Sequence, residues 1–186
     1  MAILTKNEKY IVEMYVRYFG RAADAATIAS YAEDKKTSVI LKNIIADADA
    51  EKADLDTTEF VNNAFQNLFG RNATTKEMNK YSKVVDKGED LPINAIVKAA
   101  KKSDKGVYEA KKAIAIKLAE EKITTSYDLD KITKDTYAIV YDLKTKTLLV
   151  PVADLKTTID AMKDNVTGKT INLTTTVDTL LGSDSS

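Results

Sequence analysis

From the N-terminus to about Glu121, apolar side chains recur at helical spacing. Ile11, Met14, Tyr15, Tyr18 and Phe19 stand at i, i+3, i+4, i+7 and i+8, the stripe of an amphipathic helix. Gly20 follows where a helix ends on a left-handed residue. Asp24 is placed to cap the next helix, through Ile28 and Tyr31. Ile40, Leu41, Ile44, Ile45 and Ala48 make another stripe. Thr57 or Thr58 opens a further helix, with Phe60, Val61, Ala64, Phe65, Leu68 and Phe69 on its inner face and Gly70 at its end.

The pattern then repeats. Tyr15, Tyr18, Phe19, Gly20, Arg21 and Tyr31 answer to Phe65, Leu68, Phe69, Gly70, Arg71 and Tyr81, each displaced by 50 residues. Ile40, Leu41, Ile44 and Ile45 answer to Pro92, Ile93, Ile96 and Val97, now displaced by 52, which puts a two-residue insertion near Lys87-Gly88-Glu89-Asp90. Apolar positions match by chance easily; a Phe-Gly-Arg turn with a tyrosine ten residues beyond its arginine does not. The expectation is a tandem repeat of helix, Gly-Arg turn, short helix and third helix. A long helix follows from about Lys105 to Lys122.

After Thr124 the character changes. Tyr137–Tyr141 and Thr147–Val152 are β-rich, and Asp142–Lys146 between them predicts a hairpin. Asp154 is placed to cap a helix through Leu155, Ile159 and Met162, and Gly168 closes it. The tail from Lys169 alternates apolar and polar residues like a strand that continues into a longer β-rich body. The fold class expected is mainly α. A tandem helical repeat spans 1–124, an α+β connector 125–168, and the start of a β-rich body 169–186.

Composition narrows the chemistry. Among 186 residues, 28 basic and 28 acidic side chains cancel, so a charged partner must be met by a local patch, and nucleic acid is not expected. No cysteine means no disulfide; no histidine removes the commonest general base and metal ligand. No Ser-His-Asp set, Cys-His pair or glycine-rich phosphate loop can be assembled, so no enzyme is expected. The first ten residues are not a classical signal peptide, and no stretch approaches the ~18 apolar residues of a membrane span.

Tyr18-Phe19-Gly20-Arg21-Ala22-Ala23-Asp24 resembles a helical domain of many S-layer and haemolysin-type secreted proteins, and Ile93 to Ile116 looks like the same family. The Phe-Gly-Arg turn is also similar to the repeat of phycobilisome linker domains. Ile171-Asn172-Leu173-Thr174-Thr175-Thr176-Val177-Asp178-Thr179-Leu180-Leu181-Gly182 is similar to the segment opening the β-rich body of type I-secreted S-layer proteins. The resemblance implies an extracellular, cell-surface structural protein. Its helical part would anchor a lattice by binding lipopolysaccharide or surface polysaccharide, peripheral to the outer membrane and not inserted. Self-assembly would run through the missing C-terminal body. No cofactor is expected here, with calcium reserved for the full-length protein. The linker likeness implies the alternative, a protein–protein scaffold. A glycan-cleaving enzyme would need two carboxyl groups converging at ~5–10 Å in a cleft.

Candidate contacts for the polysaccharide are Arg21, Arg71, Lys98, Lys101, Lys102, Lys105 and Tyr108. Arg21 and Arg71 hold equivalent turn positions, where each guanidinium would bond helix-end carbonyls or a saccharide or phosphate. Tyr15, Tyr18, Tyr31 and Tyr81 lie on apolar stripes and read as core, whereas Tyr10, Tyr108 and Tyr127 are freer. The lysines, with Lys111 and Lys112, form a basic patch or a solvated helix face. Asp47, Asp49, Glu51, Asp54, Asp56 and Glu59 alternate as calcium ligands can, but without an EF-hand glycine they read as an acidic connector, or as a partner for a neighbour's lysines.

Overall fold

Helix boundaries fall where capping chemistry places them. A computed structural model describes residues 3–165, with side chains through Met162. Helix α1 (Lys6–Phe19) begins at a capping box in which Thr5 and Glu8 each bond the other's backbone N–H. It ends at Gly20, φ 70°. Strand β1 (Arg21–Ala22) leads to α2 (Ala25–Ala32), capped by Asp24, and α3 (Thr37–Glu51). The second copy retraces this. Helix α4 (Thr57–Phe69) starts at Asp56 and stops at Gly70, φ 62°; α5 (Thr75–Val85) is capped by Thr74; α6 (Ile93–Ala99) follows Pro92. Asp24 and Thr74 stand 50 residues apart, like the glycines, so helix, left-handed glycine and capped second helix recur, while the third helices differ, 15 residues against 7.

Helix α7 (Lys102–Glu120) packs against both α1 and α4. The larger core joins the first copy, α7 and the later residues Leu129, Ile132, Val140, Val150, Leu155 and Ile159. The second copy has its own core around Phe65, Leu68, Phe69, Tyr81, Ile93 and Ile96, closed by Tyr108 of α7. Each of these fully buried side chains contributes ~1.5–3 kcal/mol, which holds residues 129–150 in place with little regular structure.

Beyond α7 the chain passes both Gly-Arg turns. Strand β2 (Tyr127–Asp128) pairs antiparallel with β1, Arg21 opposite Asp128 and Ala22 opposite Tyr127. Leu129 N–H donates to the Gly20 carbonyl at 3.2 Å, and the Ile132 carbonyl lies directly against Gly70. Two-residue pairing leaves no periodicity, so it was not legible in the sequence.

The hairpin is shorter than expected. Tyr137–Val140 is one helical turn (α8), not a strand; only β3 (Tyr141–Asp142) and β4 (Thr147–Leu148) pair, with Tyr141 opposite Leu148. The cause is upstream. Thr136 accepts from Thr133 N–H and donates to the Lys131 carbonyl, and Tyr137 N–H returns to the Thr133 carbonyl, so the chain is already coiled at residue 137. The Tyr137 ring fills a slot left by Gly106 near the start of α7. Helix α9 (Val152–Asn165) starts two residues before Asp154, which sits in its first turn. Gly168 and the strand-like tail lie outside the described residues.

Candidate functional site

The duplicated turns carry duplicated aromatic clusters. Arg21 stacks on Tyr15 and Phe19, 5.6 and 5.1 Å from the ring centroids; Arg71 stacks on Phe65 and Phe69 at 5.2 and 5.6 Å. Tyr31 and Tyr81 complete each cluster, 6.5 Å from Tyr15 and 5.8 Å from Phe65. Neither arginine bonds the last-turn carbonyls of its helix, which corrects that expectation. Lys52 and Asn67 donate to Tyr18 O instead, and Lys111 donates to Gln66 O and Asn67 O. A guanidinium just past the turn points back over the rings, whereas a lysine arriving from another helix can meet the carbonyls end-on. Nothing in the local sequence marks Lys52, Asn67 or Lys111 for this.

Both arginines are engaged by acids. Arg21 pairs with Glu51 at 2.6 Å. Arg71 binds Glu77 and Asp104 through two nitrogens each, at 2.7 to 2.9 Å. These bonds, to Asp104 first and Glu77 second, raise the Arg71 pKa. Arg71 in turn holds the Glu77 carboxyl down to about 2, helped by Thr74. Stability from this carboxylate is therefore present above pH ~4.5 and lost as pH falls toward 2. Arg71→Leu is expected to cost about 1–2 kcal/mol at neutral pH, and to flatten the fall in stability between pH 4.5 and 2, read by urea unfolding. An unchanged acid slope would remove Arg71 as its cause.

Tyr108 is not a surface residue. It is 3% exposed, takes a hydrogen bond from Arg17 Nε at 2.8 Å and donates to Glu13 at 2.9 Å. Burial raises its pKa. The second copy's core required an aromatic lid, and α7 supplies it. Lys111 also leaves the basic patch, being fully buried, and Lys112 pairs with Glu109. Lys98, Lys101, Lys102 and Lys105 remain as an exposed edge from the end of α6 to the first turn of α7, with no ion pair among the described residues. Lys102 holds a left-handed backbone, φ 51°.

The acidic run is dispersed. Asp47 accepts from Tyr31, Glu51 from Arg21, and Asp56 and Glu59 cap α4. Asp49 instead lines a groove of about 300 Å³ between the copies, with Tyr18, Phe60, Leu55, Glu89 and Asp90. Burial, then the nearby Asp90, raises the Asp49 pKa. Among the described residues no group of three or more carboxylates is arranged to hold a metal ion, and no helix is long and apolar enough to cross a membrane.

Comparison with protein-family models, curated proteins and solved structures finds no match to this chain.

Proposed function

We propose that the chain is a non-catalytic anchoring module of a secreted surface-layer protein, and that its exposed lysine edge holds an anionic surface polysaccharide such as lipopolysaccharide. The observation that carries this is the local density of uncompensated cations. Many lysines of the described residues are exposed and unpaired, but Lys98, Lys101, Lys102 and Lys105 fall within one eight-residue stretch whose single acid, Asp104, is taken by Arg71. Each exposed contact is worth at most about 1 kcal/mol, so attachment needs several lysines per module and many modules per lattice. It also weakens with salt.

Replacing all four lysines with glutamate is expected to reduce binding to polysaccharide-bearing cells at least about tenfold (~1.4 kcal/mol), with unchanged thermal unfolding. The readout is pull-down against cells lacking the polysaccharide. Equal retention by both cell types removes the anchoring reading.

A second reading, a protein–protein scaffold, is favoured by the inter-copy groove, where Leu55 is 37% exposed beside the acids. Concentration-dependent oligomers with no polysaccharide affinity would support it. Shortening of the polysaccharide by the chain but not by Asp49→Asn would establish cleavage instead.

A further inference from the structure

The lysine edge does not end at Lys105. That residue also lines a groove with Glu109, Lys112, Tyr141, Leu143 and Lys146, between α7 and the β3–β4 hairpin. Its one carboxylate, Glu109, is tied to Lys112 at 2.8 Å, which leaves Lys105 and Lys146 uncompensated. Lys146 then borders a second groove of about 500 Å³, walled by Ala113, Ile116, Leu148, Val150, Pro151 and Val152. The two grooves adjoin at Lys146; together they make a valley with cations at one end and, at the other, a largely apolar trough whose own lysine, Lys117, is paired with Glu120.

Lys146 has the left-handed backbone that favours glycine, φ 57°. The preceding turn sets this up, because Asp142 accepts from the Lys144 and Thr145 N–H groups. That strained position belongs to the one residue that lines both grooves.

We propose that this valley binds an anionic amphiphile, one acyl chain in the trough and a phosphate or carboxylate head between Lys105 and Lys146. The inference extends the anchoring reading through Lys105: the anionic ligand of the edge carries an acyl chain. Apolar burial supplies the affinity. The lysines select a negative head, and their stems line the apolar wall.

The test is calorimetric titration of the full chain with dodecyl phosphate below its micelle concentration, with dodecyl maltoside and inorganic phosphate as controls. Dodecyl phosphate is expected to bind one to one, at least about threefold (~0.65 kcal/mol) tighter than the maltoside, with inorganic phosphate not bound detectably. Leu148→Glu is expected to abolish binding. Lys146→Gly suits the left-handed backbone, so it is expected to lower affinity about threefold while keeping or raising thermal stability. Lys98→Glu with Lys101→Glu, outside the valley, is expected to spare dodecyl phosphate and weaken polysaccharide pull-down. That separates the two claims: pull-down untouched by this variant strikes the anchoring reading alone and leaves the valley standing. No binding of dodecyl phosphate, equal binding of the maltoside, or binding untouched by Leu148→Glu overturns the valley. So does a dimer in sedimentation that Leu148→Glu dissolves, because the trough is then a protein interface.

Discussion

Gly70→Ala is expected to destabilise the fold by roughly 3 kcal/mol or more, lowering the melting temperature by roughly 10 °C. Two costs combine. At φ +62° a side chain must hold a left-handed backbone, about 1 kcal/mol. A Cβ there would also press into the Ile132 carbonyl oxygen and stand 3.0 Å from Thr133 Cα. Those are backbone atoms of a segment anchored by fully buried Leu129 and Ile132, so nothing nearby can rotate aside. Gly88→Ala isolates the first cost: φ is +71°, but nothing lies within 4 Å of the added carbon, and a loss of only about 1 kcal/mol is expected. Equal losses in the two variants, measured by urea unfolding, would mean that the connector yields and that the close approach is not what requires Gly70.

The second large effect concerns pH. Lys111 is fully buried, its ammonium donating to Gln66 O at 2.8 Å and Asn67 O at 3.0 Å at the C-terminal end of α4. Burial pushes its pKa down to about 7, opposed by Asp130, which favours the charged form. Above pH ~10.5 the amine is neutral folded or unfolded. Between 10.5 and 7 the unfolded chain takes up a proton that the folded chain does not, so stability falls as pH falls; below 7 both forms are charged and the penalty is complete. A shift of this size corresponds to roughly 5 kcal/mol across the whole window. Buried phenols such as Tyr108 have raised pKa values and titrate at the alkaline end, so the useful range is pH 7 to 9.5.

Lys111→Met serves as the reference because it has no titrating group. The stability of the native chain relative to this variant is expected to rise by roughly 3 kcal/mol from pH 7 to 9.5. At neutral pH the variant escapes the cost of burying a charge but leaves Asn67 O without its donor, a loss of ~1–3 kcal/mol. The first exceeds the second, so the variant is expected to be the more stable at neutral pH, and the pH dependence is the sharper measurement. A constant difference across this range would show that the carbonyls keep Lys111 charged despite its burial.

Lys111 also shows where reading along the chain fails. In sequence it is one of six lysines between Lys98 and Lys112, indistinguishable in type from Lys105. Helical phase turns it inward, and the carbonyls that receive it belong to a helix more than forty residues earlier. Tyr108 failed in the same way. It read as freer than the tyrosines on apolar stripes, but it closes the second core, and its hydroxyl bonds Arg17 and Glu13 of α1.

The sequence by itself determined the local elements and their duplication. Capping residues, glycine stops and helical spacing act within a few residues, so α1 to α6, the matching Gly-Arg turns and the mainly helical class could be read from order alone. It also marked the lysine-rich stretch from Lys98 to Lys112, but not which of those lysines stay exposed. Only the tertiary structure decided that the connector threads past both turns, that Tyr137–Val140 coils, that Arg21 and Arg71 bind rings and acids, and that Lys146 completes a valley begun by Lys105. Each of these depends on groups brought together from distant parts of the chain. Burial, stacking and long-range hydrogen bonds act on distance in space, which no local pattern records.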